Sequence, residues 1–282
     1  MAITNTCVRF LCWAKRRGVS FASTLTLGHL ENRVKKEVID NIIEKEKSLF
    51  DKEKINWDEK FADSIFYALG ADSLESLDYC SYEKADIIHD LNIPISETLH
   101  NKYTAIIDGG TLEHIFNFPQ AIKTCMQCLK LNGHFIGFSP TNNLMGHGFY
   151  QFSPELFYQV FSSQNGFRII GMFIIAADFE LDTEKWYEVV NPEDVKERVT
   201  LRNKFPCYLM ILAQKVQEKE ELKNILQSDY SELWAQKQPH DIKESKKRKK
   251  SLFKKIYRKI LPSTKEENLE KINPFFFRKK TP

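Results

Sequence analysis

The chain lacks the cysteine pattern of a disulfide scaffold: its six cysteines, in 282 residues, stand at no framework spacing. A small cross-linked secreted fold is thereby excluded, and a reducing, cytoplasmic setting is expected. Nor is there an apolar run approaching the roughly 20 residues that span a bilayer. The short stretch Val8–Ala14 has its basic cluster, Lys15-Arg16-Arg17, behind it and not ahead of it, which is the wrong order for a secretory signal. Cys125-Met-Gln-Cys128 has metal-site spacing but no second pair, and a structural zinc site takes about four ligands. No metal is expected from it.

What is present is an uneven charge. Residues 241–282 carry 15 Lys and Arg against 5 Asp and Glu, so the overall +3 conceals a tail of +10 on a body of −7. An acidic body gives no reason to expect nucleic-acid binding. Within the tail, residues 246–261 interleave basic residues with Leu252, Phe253, Ile256, Tyr257, Ile260 and Leu261 at helical spacing. Such a stripe fits docking on an anionic membrane surface, a partner contact, or a solvated tail.

Hydrophobic patterning predicts strands alternating with helices. Strands are expected at Phe21–Gly28, Leu74–Asp78, Ala85–Asp90, Tyr103–Asp108, His134–Ser139, Phe167–Ala176 and Cys207–Gln214. The unbroken apolar core of Tyr103–Asp108 suggests burial on both faces, as in a parallel sheet. Helices are expected at Val34–Lys54, Phe61–Leu69, Pro119–Leu131, Ser153–Ser162 (opened by Ser-Pro-Glu) and in residues 217–235. The pattern implies one doubly wound α/β domain over residues 1–216, a peripheral helix in 217–240, and a tail from 241.

In an open parallel sheet, ligands bind beyond the carboxyl ends of the strands. Four expected strands end in Asp78, Asp90, Asp108-Gly109-Gly110 and Ser139-Pro-Thr-Asn142. Short carboxylates there can accept from ribose hydroxyls and an adenine amine, and glycine admits a ligand close to backbone. Turn chemistry is the plainer explanation for any one of them. The ordered set, with Asp86-Ile-Ile-His-Asp-Leu-Asn-Ile-Pro94, Leu112-Glu-His114 and Asn132-Gly133, resembles the class I S-adenosylmethionine-dependent methyltransferases over about residues 24–215.

That resemblance implies a mostly parallel seven-stranded sheet with an antiparallel last strand, and S-adenosylmethionine as cofactor. It implies Asp78 on the ribose, Asp90 and Leu91 on the adenine, and Asp108 and Gly109 under the methionine moiety. At the first strand, where the family has an acid and a glycine-rich loop, this chain has Leu25-Thr-Leu-Gly-His-Leu-Glu31. Thr26 and Gly28 are the cofactor candidates there; a decayed site on a non-catalytic binding or assembly protein is the alternative. His147, between two glycines in the loop after the fifth strand, is the candidate base, with His114 and Tyr150 assisting. The expected reaction is methyl transfer to an oxygen or nitrogen of a small molecule or a glycan or envelope precursor, with the tail holding the protein at the inner face of a membrane. The Pro-Pro-Tyr/Phe tetrapeptide of many nucleic-acid amino-methyltransferases is absent.

Overall fold

The computed structural model describes residues 1–45, 49–176, 185–195, 203–219, 221–223, 225–230 and 277–280. The basic stretch 246–261 lies outside them. Nine strands form the main sheet: β1 (Ser23–Leu27), β2 (Ser73–Asp78), β3 (Ile87–Ile88), β4 (Tyr103–Asp108), β5 (Leu129–Asn142), β6 (Phe167–Ala176), β7 (Trp186–Val189), β8 (Cys207–Lys215) and β9 (Phe277–Lys280). Their order across the sheet is β9-β7-β6-β8-β5-β4-β1-β2-β3. Pairings from β3 to β5 are parallel, whereas β8 runs antiparallel between β5 and β6. The expected doubly wound α/β sheet with an antiparallel closing strand is therefore present.

Two edge strands extend the seven that were expected. β7 pairs antiparallel with β6, and β9 with β7. Trp186 and Tyr187 are both buried, which gives this short polar-flanked segment its reason to join the sheet.

Alternation along the strands divides the core in two. Leu25, Leu27, Ile106, Phe135, Leu209 and Ile211 face one cluster, with α4 (Phe118–Cys128) and α5 (Pro154–Val160) covering it. Ala105, Ile107, Ile136, Met210 and Leu212 face the other, covered by α1 (Asn5–Lys15) and α3 (Asp63–Ala68). Both faces being apolar is what a central parallel sheet requires. In α5, Ser153 accepts the Glu155 N–H and Pro154 opens the first turn, as Ser-Pro-Glu predicts.

α1 was not anticipated from the apolar stretch it contains. Its Phe10 is fully buried, stacks on Trp13 at 5.2 Å and meets Phe138, Phe173 and Trp186 edge-on. Burying one such ring stabilises by about 2–3 kcal/mol. The helix expected from Val34 runs Lys36–Lys45 (α2), with a short 3-10 turn at Lys52–Lys54.

The helix expected from 217 is a correction: the described residues 216–227 are irregular, and helical geometry begins only at Ser228. Its backbone donors bond elsewhere. Val216 and Gln217 N–H donate to the Gly166 carbonyl, Lys223 N–H to Asn165, and Ser228 N–H to the Glu155 carboxylate. Among the described residues no helix is long and apolar enough to cross a membrane.

Candidate functional site

The strand order reverses between β1 and β4, because β2 and β3 lie to one side of β1 and β5 to the other. Such a switch point is where open sheets leave a crevice. Register aligns the strand ends there: Leu77 with Leu27, Leu27 with Asp108, and Asp108 with Gly137. Gly28, Asp78, Asp108 and Ser139 consequently share one rim of the sheet.

After β1 the chain turns at Gly28, whose φ of 75° is left-handed and whose N–H donates to the Leu77 carbonyl at 2.7 Å. A β-carbon there would collide with the Met1 Sδ and Cε atoms. The Met1 thioether thus fills the nook beside Gly28. It is anchored because Ala2–Ile3 pairs in parallel with Glu31–Asn32, and because Thr111 Oγ1 reaches the sulfur. The same hydroxyl is 2.7 Å from the Leu27 carbonyl. His29 faces away from the crevice: its ring stacks on Phe61 at 3.5 Å, Nδ1 meets the Glu83 carbonyl and Nε2 meets Asp63. Thr26 is buried within β1.

On the side of β2 and β3, both carboxylates bond the chain just ahead of them, Asp90 in an Asx turn. Asp78 Oδ1 accepts from Tyr79 N–H at 2.6 Å; Asp90 Oδ1 accepts from the backbone and side-chain nitrogens of Asn92, which hold its carboxyl below the usual range. Both remain partly exposed, while Leu91 is buried in the core.

After β4 the situation differs. Asp108 is fully buried, and its Oδ1 accepts from the N–H groups of Thr111 at 2.8 Å, Gly110 at 3.3 Å and Leu112 at 3.4 Å. This carboxylate builds the turn, in which Gly110 takes a φ of 99° and Gly109 leaves room for Leu30. Asp108 Oδ2, however, has no partner; neither has Glu113 Oε2 nor the buried Ser139 hydroxyl at the end of β5. Native proteins rarely leave such atoms unpaired. Burial pushes the Asp108 carboxyl up, to about 6, against the pull of the turn N–H groups and of the Ser139 hydroxyl, which faces the carboxyl without reaching hydrogen-bond distance. Burial first, and then Asp108, push Glu113 up to about 8.

The loop after β5 closes over Glu113. Phe149 and Tyr150 N–H both donate to the Glu113 carbonyl, at 2.8 and 3.2 Å. A β-carbon on Gly148 would meet that carbonyl at 2.9 Å and His114 Nδ1 at 3.1 Å, so glycine permits the closure. His147 Nε2 lies 3.7 Å from Glu113 Oε1, and the His147 and His114 rings are 5.5 Å apart. Burial, and secondarily His147, lower the His114 pKa. The Tyr150 hydroxyl donates to the Phe116 carbonyl at 2.6 Å, which fixes the loop.

The structure therefore gathers Asp108, Gly109, His114, His147 and Tyr150 around the end of β4, with Gly28 at the end of the neighbouring strand and Asp78 and Asp90 further along the rim. Sequence reasoning did not select Glu113 as a site residue, although Leu112-Glu-His114 contains it; only the fold reveals that it is buried. Thr111 and Met1 carried no local signal. Cys125 and Cys128 are buried in the core, where burial raises both thiols, Cys128 to about 12.

No protein-family model and no curated protein matches this chain. Among solved structures it is similar to a Bacillus halodurans protein provisionally assigned as a methyltransferase, at 7% identity and a TM-score of 0.43, over 74% of this chain and 99% of that one. It is similar also to the 1,6-didemethyltoxoflavin N1-methyltransferase of Burkholderia thailandensis, solved with its substrate and S-adenosylhomocysteine (9% identity, TM-score 0.39, 74% and 78% covered). An S-adenosylmethionine-dependent methyltransferase from Archaeoglobus fulgidus matches at 10% identity and a TM-score of 0.37, over 74% and 94%.

Proposed function

We propose that this protein transfers a methyl group from S-adenosylmethionine to an oxygen or nitrogen of a small molecule or glycan. One observation carries the reading: at the switch point, beside the only glycine of the first turn, the chain accommodates a methionine thioether. The Met1 sulfur and methyl carbon stand in for the sulfur end of the cofactor, in the crevice where a doubly wound sheet takes its ligand. The rest of that molecule would extend along the rim from there. Asp78 and Asp90 would hold its ribose and adenine with Leu91, while Thr26, Gly28, Asp108 and Gly109 would flank its methionine portion.

When bound, the cofactor supplies a methyl on a sulfonium that departs as a neutral thioether. The chain's own residues position the acceptor and remove its proton. His147, 42% exposed beside Glu113, would take that proton, with His114 neutral behind it. Tyr150 holds the loop in place through Phe116. Exposed Phe116 and Phe149, edge to face at 6.1 Å, support an acceptor with a flat apolar part. The tail segment 246–261 would bring the protein to an anionic membrane surface, giving it access to envelope precursors. Liposome sedimentation of the full chain against Lys246, Lys247, Lys249 and Lys250→Glu checks this.

A second reading has its own support. Met1 occupies the nook, and Leu30 packs on Gly109, as in a scaffold that has closed its donor site and serves only in binding. Calorimetric titration with S-adenosylmethionine and S-adenosylhomocysteine separates the two. For the enzyme, both ligands bind the full chain, deletion of Met1–Ile3 tightens binding about tenfold by removing the competitor, and Asp78→Asn weakens it. Absence of binding at millimolar ligand in both forms leaves the non-catalytic reading.

A further inference from the structure

We infer that Glu113, His114 and His147 form a binding site for a divalent transition-metal ion, with at least one coordination position open to water or a substrate oxygen. One donor atom from each residue lies within 4.8 Å of the other two, and the Glu113–His147 separation is already 3.7 Å. Glu113 is 1% exposed, yet its Oε2 has no hydrogen-bond partner. Among the described residues no lysine or arginine pairs with Glu113 or with Asp108 behind it; the one cation that acts on Glu113 is the Met1 α-ammonium, at a distance and without bonding Oε2. A buried carboxylate oxygen left bare is costly unless a proton or a metal ion partners it.

The donors are also held against one another. Glu113 and His114 are fixed by the turn that Asp108 builds, and His147 by the loop that hangs on the Glu113 carbonyl. Within that loop, His147 N–H donates to Leu144 and Leu144 N–H to Gln151, while Thr141 Oγ1 donates to the Phe152 carbonyl. Metal–ligand bonds of about 2.0–2.2 Å require the donors to draw together by roughly 1 Å. The exposed His147 ring can supply most of that movement. Two imidazoles and one carboxylate suit zinc, cobalt or ferrous iron and not the all-oxygen tastes of magnesium or calcium. An ion held there would lower the pKa of a hydroxyl bound to it, whose proton would pass to solvent, so His147 would serve as the base only in the metal-free protein.

The test needs neither cofactor nor acceptor, so its failure is distinct from failure of the methyl-transfer reading. Full-length protein stripped by chelator is titrated with Co²⁺ and followed by visible d–d absorption, and with Zn²⁺ by calorimetry. Saturation at one equivalent is expected, without thiolate charge-transfer bands. His147→Ala, which alters an exposed loop side chain, should weaken binding at least about tenfold, and Glu113→Gln likewise. His89→Ala should leave it unchanged. No binding, thiolate bands from the cysteines, or undiminished affinity in His147→Ala would overturn the assignment.

Discussion

The turn after β1 and the turn after β4 stand side by side at the same crevice and are finished in opposite ways. At the first, the protein completes itself: the Gly28 nook holds Met1, the Gly28 N–H is bonded, and both His29 nitrogens are engaged. At the second, Asp108, Glu113 and Ser139 each leave a buried polar atom unpaired. The contrast separates two kinds of site. The first turn is complete as folded, and whatever enters beside Gly28 must displace a side chain; the second keeps buried polar atoms that a guest could pair.

The largest effect should come from the Asp108 turn. Asp108→Ala removes the acceptor of three backbone N–H groups and should cost about 3 kcal/mol, whereas Asp108→Asn keeps the Oδ1 acceptor and should cost less than about 1 kcal/mol. Urea unfolding measures both. Equal losses would mean that Oδ1 does not organise the turn.

Next comes pH. Burial raises Glu113 in the fold from the ordinary carboxylate range to about 8, so the folded state binds more protons than the unfolded one in between. Its contribution to stability is full below the unfolded value and is lost as pH climbs through the folded value. Thermal unfolding should therefore shift to lower temperature between about pH 5 and pH 8, and Glu113→Gln should flatten the part above about pH 6, with Asp108 still contributing below it. A slope unchanged in the variant would place its origin elsewhere.

The smallest effect probes the filled half. Gly28→Ala should destabilise the full chain by about 1–2 kcal/mol, mostly from the left-handed φ, because the flexible end of Met1 can give way to the new methyl. In a chain without Met1–Ile3 only the backbone part, about 1 kcal/mol, should remain. The difference between the two backgrounds measures the Met1 contact directly.

Much of this architecture was legible from local pattern. The two-faced apolar run of Tyr103–Asp108, the Ser-Pro-Glu opening of α5 and the strand-end acids all follow from rules acting within a few residues. Elements that failed depend on distant partners. α1 is held by rings from residues 138, 173 and 186, β7 by burial of Trp186, and the described residues between 216 and 227 bond to Gly166 and Asn165 in place of a helix. The site divides likewise. Asp108 and His147 announce themselves by type and place, whereas nothing in a linear pattern brings residue 1 to residues 28 and 111, or tells that Glu113 is buried while the neighbouring His114 is not.

The last described strand, β9, lies against β7 and so gives the sheet its outermost ladder. An uncovered strand border is a template for self-association. Cutting the chain at residue 240 to dissect the cationic stretch would strip that cover too. A shortened protein that clumps would then be reporting on a bared sheet margin, so charge reversal within the intact chain is the cleaner way to probe the tail.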